Sequence, residues 1–333
     1  MTPEYKILIA DAPWSIEPER EVFGEIGAEI IVAETKTEEE LLVLAPQVDG
    51  ILTDRQSITD DIIAVAQRCK AIARYGVGFD NVALDAATAA GIVVTNVPAY
   101  CIDEVTDHAM ALLLACARKI PLFHKHINSW NRDVGPPMRR IRGQTLGVIG
   151  FGRIGQAIAP KAQAFGLEVI VFDQYLTSEA IQAHGAAKVQ LPDLLAKSDF
   201  ISIHTPLTPE TQNLIGEAEL RQMKPNAYLI NTARGGIIDT VALYKALSEG
   251  WIAGAGQDVL PQEPAPPDEP LLTLENVILT PHVAFLSEES TYDAQNTAAS
   301  EVARVLTGQM PESVVNPEVL DSPALRAEAL AGR

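Results

Sequence analysis

Gly150-Phe151-Gly152-Arg153-Ile154-Gly155 is a run whose residue types and spacing imply a ligand. It follows the apolar stretch Leu146–Ile149 and opens a helical pattern that reaches Phe165. In that setting Gly150 permits a tight turn, Gly152 lets a pyrophosphate approach the backbone, and Gly155 lets the helix close on the strand. Free amides and the helix dipole then attract the phosphates. Taken alone, the pattern also describes an ordinary glycine-rich turn. Asp173 decides between the two. It ends the next apolar run, Glu168–Phe172, 18 residues beyond Gly155. A carboxylate at that spacing takes a ribose hydroxyl of NAD and repels the 2′-phosphate of NADP. No arginine follows it directly, so the expected cofactor is NAD.

Three further residues sit where apolar runs end. Arg234 follows Tyr228–Ile230, Glu263 lies in the proline-rich loop after Asp258, and His282 follows Val277–Leu279. Ligands of open α/β sheets bind outside the carboxyl ends of the strands, so all three are expected in one crevice. Their types suit the reduction of a 2-keto acid. Arginine offers a planar fork to a carboxylate. Histidine moves a proton on and off a hydroxyl, and a glutamate beside it supports the imidazolium. Each has an ordinary structural reading by itself: a satisfied histidine, a solvated glutamate, an arginine capping a helix. The joint pattern favours chemistry.

Composition narrows the partners. The chain has 333 residues, 47% of them hydrophobic, and a formal net charge of −19. Two domains are the natural expectation for that length. Such a charge repels nucleic acid and anionic lipid, so neither is expected as a partner, and an acid substrate must be caught by local cations. Cys69, Cys101 and Cys116 have neither disulfide nor metal spacing, so no metal is expected. Buried thiols in a reducing cytoplasm are the expectation. The segment Met1–Ile9 lacks the basic and apolar regions of a signal peptide, and the run Ala109–Ala117 is too short to span a bilayer.

Elements must hold these residues in place. Strands are expected at Tyr5–Ala10, Glu29–Ala33, Gly50–Thr53 and Ala71–Tyr75, with helices at Glu17–Gly27, at Glu38–Leu44 behind a Thr37/Glu40 capping box, and from Thr59. A break follows Val94 at Asn96-Val97-Pro98. The helix of about Asp103–Arg118 places Val105, Ala109, Leu112, Leu113 and Cys116 on one face. After the loop Asp133–Pro137, a second series adds Leu146–Ile149, Glu168–Phe172, Phe200–His204, Ala227–Asn231, Ala253–Asp258 and Val277–Leu279. Pro160 should kink the helix after the glycine loop. The last long helix, Ser287 to about Leu306, could pack on either series, and the tail from Met310 crosses back. Alternation of this kind predicts α/β layers with mostly parallel sheets.

With these residues in view, the chain resembles the D-isomer-specific 2-hydroxyacid dehydrogenases over nearly its whole length, to about Pro317. Ala73–Val82 resembles the family's substrate loop, Asp107-His108-Ala109 its helix start beside the cofactor cleft, Thr232–Gly236 its arginine motif, Gly256–Val259 with Glu263 its acidic segment, and Thr280-Pro281-His282 its histidine motif. The resemblance implies two doubly wound parallel-sheet domains, Rossmann- and flavodoxin-like. The NAD domain (101–287) would be inserted into a discontinuous substrate domain (1–100 and 288–333). Arg234, Glu263 and His282 would form the catalytic set, with Val77, Gly78, Arg234 and His282 binding a small 2-keto or 2-hydroxy acid. NAD would be met by Val77, Gly152, Arg153, Ile154, Gly155, Asp173, His204, Thr205, Pro206, Thr211, Thr232, Ala233, Arg234, Asp258, His282 and Ala284, with Asp258 taking the nicotinamide amide. A homodimer would form through the helices near residues 103–130. Trp130, near that interface, is expected to pack into a core, with reach into a partner's cleft as the alternative. His124 and His126 would lie in the interface, and His184 would be exposed.

Two features depart from the common pattern. After His282 the chain has Val283-Ala284-Phe285 in place of an x-Gly pair, and with Ser287–Ser290 this is closer to the branch containing the C-terminal binding protein corepressors. That branch supplies an alternative reading, an NAD-sensing interaction protein, against which stands the full catalytic set. Arg55, in Thr53–Ser57, would hold a second anionic group if it points into the cleft and is solvated if it points out. A dehydrogenase of phosphite would need further cations that the sequence does not assign.

Overall fold

The computed structural model describes residues 4–12, 14–135 and 137–331. Pro136 of the 133–137 loop and the last two residues of the tail lie outside them, as do Met1–Pro3 and Pro13. The chain divides into two compact units, Met1–Tyr100 with Ser287–Arg333, and Cys101–Leu286.

The first unit holds a five-stranded sheet of β1 (Lys6–Ile9), β2 (Glu29–Val32), β3 (Gly50–Thr53), β4 (Ala71–Arg74) and β5 (Val93–Thr95). The order is β2-β1-β3-β4-β5 and every pairing is parallel. That is the flavodoxin-like arrangement. The three inner strands β1, β3 and β4 are nearly all buried, because helices cover both faces of such a sheet. The break after Val94 falls inside β5, one residue before its end. Thr37 caps Glu38–Leu44 as expected, accepting from the Glu40 amide, but Glu40 reaches back to the amides of Glu34, Thr35 and Lys36.

The helix Glu288–Leu306 packs on this sheet. Ala298, Ala299 and Val302 share a core with Ile7, Leu52 and Ala73. The tail returns to β5, where Asn316 Oδ1 accepts from the Val94 amide and its Nδ2 donates to Thr88 Oγ1 and the Ile92 carbonyl. A polar side chain buried in this way must be fully bonded, and three partners 222 to 228 residues away achieve it.

The second unit holds a seven-stranded parallel sheet: β6 (Thr145–Ile149), β7 (Glu168–Phe172), β8 (Ala187–Lys188), β9 (Phe200–Ile203), β10 (Tyr228–Asn231), β11 (Gly254–Gln257) and β12 (Val277–Leu279). Its order, β12-β11-β10-β9-β6-β7-β8, is that of the dinucleotide-binding sheet with one strand added. The chain reverses direction across the sheet between β6 and β9, and ligands of this fold settle outside the strand ends at that point. The helix Ile102–Arg118 buries all five residues expected on its inner face. It approaches closely because Gly256 has no side chain, and Leu112 fills the space. Pro160 lies within the helix Arg153–Ala164.

Candidate active site

At the end of β6 the glycine run takes the conformation its composition allows. Gly150 has φ +86°, and a Cβ there would meet the His204 carbonyl at 2.8 Å. A Cβ on Gly155 would collide with the Gly150 carbonyl oxygen. Gly152 instead faces open space and caps the helix Arg153–Ala164, with Arg153 exposed in its first turn and Ile154 half-buried. The crowding and the opening lie where a tight turn and a pyrophosphate need them.

Asp173 accepts from the Phe151 amide at Oδ2 and from the Tyr175 and Leu176 amides at Oδ1. Burial raises its pKa, but those amides and the Lys188 charge outweigh burial and hold the carboxyl below its ordinary value. Oδ1 is saturated and Oδ2 keeps one lone pair, which suits a ribose hydroxyl. Thr232 Oγ1, in the loop after β10, is enclosed with no hydrogen-bond partner, a polar atom placed for a bound group. These residues fit a dinucleotide.

Not every residue of the expected set presents its side chain. His204 turns its ring onto Ser202, Nε2 to Oγ 2.8 Å, and burial pushes its pKa down to about 4. It is neutral, so only its backbone, packed against Gly150, faces the cradle. Thr211 fastens its own loop, accepting from the Thr208 amide at 2.7 Å and donating to the Pro206 carbonyl at 2.7 Å. Thr205 and Pro206 are thereby held in one loop conformation beside Gly150.

Three adjacent parallel strands deliver the other candidates. Asn231 of β10 is in register with Gln257 of β11, which is in register with Leu279 of β12. The loops carrying Arg234, Glu263 and His282 therefore leave one edge of the sheet side by side. Asn231 shapes the first, accepting from the Ala233 amide and donating to the Arg234 carbonyl. Gly235 lies directly against the Leu260–Pro261 peptide, which only a residue without a side chain permits. The Leu260 amide donates to Glu263 Oε1 at 3.1 Å, and Glu263 Oε2 lies 2.6 Å from His282 Nδ1. The side chains of His282 and Glu263 are 26% and 31% exposed, so the pair is reachable from solvent yet partly shielded.

His282 has φ +54°, a left-handed conformation that a side chain adopts at a cost. Its amide donates to the Asp258 carbonyl, while the Val283 and Ala284 amides and the Thr280 hydroxyl all donate to the Asp258 carboxylate. Phe285 meets the His282 ring edge-on, centroids 6.3 Å apart. Ala284 stands where the common pattern has glycine, and Phe285 after it supplies an aromatic wall to the His282 ring. His108 reaches Thr280 from the helix Ile102–Arg118, a link that sequence spacing could not reveal across 172 residues.

In the other unit, Gly76 at φ +148° turns the chain after β4, and Val77 is 39% exposed. Arg74 donates to the Asp54 and Tyr75 carbonyls, and Asn81 to the Asp54 and Gln56 carbonyls, tying the loop to residues 54–56. Asp11, buried at the end of β1, accepts from the amides of Asp54, Arg55 and Gln56. Its position just past an apolar strand was the one signal of that role. Arg55 is 62% exposed and 3.9 Å from Asp54. The expectation that Trp130 packs into a core is corrected: it is 74% exposed, at φ 51°, where it ends the short helical turn Ile127–Ser129. His184 is exposed as expected, meeting Phe151 edge-on. Among the described residues no three of His, Cys, Asp or Glu are grouped to hold a metal ion, and no helix is long and apolar enough to cross a membrane.

Residues 110–284 match the model of the D-isomer specific 2-hydroxyacid dehydrogenase NAD-binding domain. The chain belongs to this family. It is 42% identical to the glyoxylate reductase of Korarchaeum cryptofilum over 81% of its length and 82% of that protein. It is 41% identical to the D-3-phosphoglycerate dehydrogenase of Methanocaldococcus jannaschii over 93% of its length, which spans 59% of that longer protein. The crystal structure of D-lactate dehydrogenase from Aquifex aeolicus, complexed with NAD and lactic acid, superimposes with a TM-score of 0.83 at 29% identity, covering 93% of this chain and 99% of that one. As a member of the family the chain is an NAD-binding oxidoreductase of CH–OH groups.

Proposed function

We propose that the chain reduces a small 2-keto acid to the D-2-hydroxy acid, and catalyses the reverse, with His282 as the acid/base. The observation that carries this is the 2.6 Å contact of His282 Nδ1 with Glu263 Oε2, the second carboxylate oxygen being held by the Leu260 amide. An ionised carboxylate can only accept, so Nδ1 bears a proton and Nε2 is the nitrogen that exchanges one with substrate. In reduction the imidazolium gives its Nε2 proton to the keto oxygen, and Glu263 acts through His282 by stabilising the charged ring. Arg234 holds the substrate carboxylate in its fork. Bound NADH supplies the hydride that C2 receives.

Around the cofactor, the amides at Gly152, Arg153, Ile154 and Gly155 hold the pyrophosphate and Asp173 the ribose. The loops of His204–Thr211 and Thr232–Arg234 border the cofactor, Asp258 accepts from the nicotinamide amide, and His282 and Ala284 flank that end. The unit Cys101–Leu286 is on this reading the cofactor domain and the remainder the substrate domain, whose Val77 and Gly78 offer backbone amides to a carboxylate.

A homodimer is proposed through the segment beyond the helix Ile102–Arg118. Ile120, Ile127, Trp130 and Met138 are 42% to 74% exposed there, more apolar surface than a solvent-facing turn warrants. Three buried free thiols agree with a cytoplasmic setting.

The test is NADH oxidation, followed by absorbance, with glyoxylate, hydroxypyruvate, pyruvate, phenylpyruvate and phosphohydroxypyruvate. Turnover with at least one is expected. His282→Ala should abolish it while NADH still binds, and Arg234→Ala should raise KM and lower kcat. Normal turnover in both variants refutes the assigned roles, and no turnover with any acid points to an NAD-sensing interaction protein.

A further inference from the structure

Asp258 is fully buried, and four groups reach its carboxylate. Oδ1 accepts from the Thr280 hydroxyl at 2.6 Å and from the Val283 amide at 3.0 Å. Oδ2 accepts from the Ala284 amide at 2.8 Å. The fourth group is His108, whose Nε2 lies 3.0 Å from Thr280 Oγ1 and 3.5 Å from Asp258 Oδ1.

Hydrogen-bond counting fixes the direction of this chain. An ionised carboxylate has no proton to offer, so the single hydroxyl proton of Thr280 is committed to Asp258. The hydroxyl oxygen is then an acceptor towards His108, whose Nε2 must carry a proton. The sequence of donors runs His108 Nε2–H to Thr280 Oγ1–H to Asp258 Oδ1. Oδ1 already accepts two bonds and lies nearest His108. Oδ2 accepts one and keeps a lone pair.

We infer that His108 is a positioning residue for the nicotinamide end of the cofactor site. Through Thr280 it locks the Asp258 carboxylate in the rotamer that leaves the second Oδ2 lone pair for the carboxamide NH2 of the nicotinamide. The inference rests on the reading of Asp258 as the carboxamide acceptor. Without His108 the Thr280 hydroxyl still donates to Asp258, but its oxygen loses the donor that holds it, so hydroxyl and carboxylate can shift together. The adenosine and pyrophosphate end, built on Gly150–Gly155 and Asp173, has no part in this chain of bonds.

The two ends can be separated by ligand. NADH affinity is read by fluorescence titration and ADP-ribose, which lacks the nicotinamide, by calorimetry. His108→Ala should weaken NADH about ten-fold and change ADP-ribose by less than about two-fold. His108→Gln, whose amide N–H can still donate to Thr280, should restore most of the NADH affinity. Unchanged NADH affinity in His108→Ala, equal weakening of both ligands, or no rescue by glutamine overturns the inference. Asp258→Asn separates it from the reading beneath it. If that variant spares NADH, the role of Asp258 falls and the inference with it. If Asp258→Asn is selective for NADH while His108→Ala is not, only the inference falls.

Discussion

Replacing Glu263 by glutamine keeps the shape of the side chain and removes its charge, and the structure gives the size of the effect. In the wild type both carboxylate oxygens are acceptors, Oε1 for the Leu260 amide and Oε2 for His282 Nδ1. Glutamine has one oxygen. Either its NH2 faces the Leu260 N–H and strands a donor, or it faces His282 and forces Nδ1 to accept, which opposes the imidazolium. The imidazolium also loses a negative charge whose centre is about 4 Å away, worth about 1 kcal/mol in water and about 4 kcal/mol near a protein surface. With side chains 26% and 31% exposed the pair falls between these limits. A cost of about 2 kcal/mol follows, a fall of about 30-fold in kcat. Steady-state NADH oxidation with a saturating 2-keto acid measures it, and fluorescence titration checks that NADH binding is kept. A kcat within about two-fold of wild type, or a loss matched by an equal loss of NADH binding, refutes the argument.

Three other outcomes are expected. Gly155→Ala drives a methyl into the Gly150 carbonyl and should cost about 1–3 kcal/mol in thermal unfolding together with NADH affinity; an unchanged melt would show that the turn can yield. Asp173→Ala removes a charge that opposes the two negative charges of a 2′-phosphate, so the ratio of kcat/KM with NADPH to that with NADH should rise about ten-fold. His204 has a folded pKa of about 4, below the value near 6.5 of an unfolded histidine. The unfolded chain therefore takes up the proton first, and stability falls as pH drops from about 6.5 to about 4, by at most about 3 kcal/mol. His204→Asn should flatten that limb of urea midpoint against pH, and an identical acid limb in the variant would show that the ring is not kept neutral.

What the sequence determined by itself is local. A glycine fits where φ is positive or backbones touch, so Gly150 and Gly155 are legible in the sequence. Apolar runs ending in polar residues marked β10, β11 and β12, and a strand end in a parallel sheet faces the ligand edge wherever the strand lies in the order. Arg234, Glu263 and His282 were legible for that reason. Tertiary structure decided everything that depends on which distant residue fills a valence. Asp173 keeps one lone pair on Oδ2 because amides hold the other positions, and His204 turns inward to Ser202 rather than outward. The helix Glu288–Leu306 carries an apolar face that suits either sheet, and only its fit over Gly50, where Val302 fills the missing side chain, assigns it to the first unit. His108 was visible as a motif residue beside a cleft, but its bond to Thr280 spans 172 residues and follows from packing a helix against Gly256. Spacing along a chain reports on backbone conformation. Which donor meets which acceptor is settled only when the layers close.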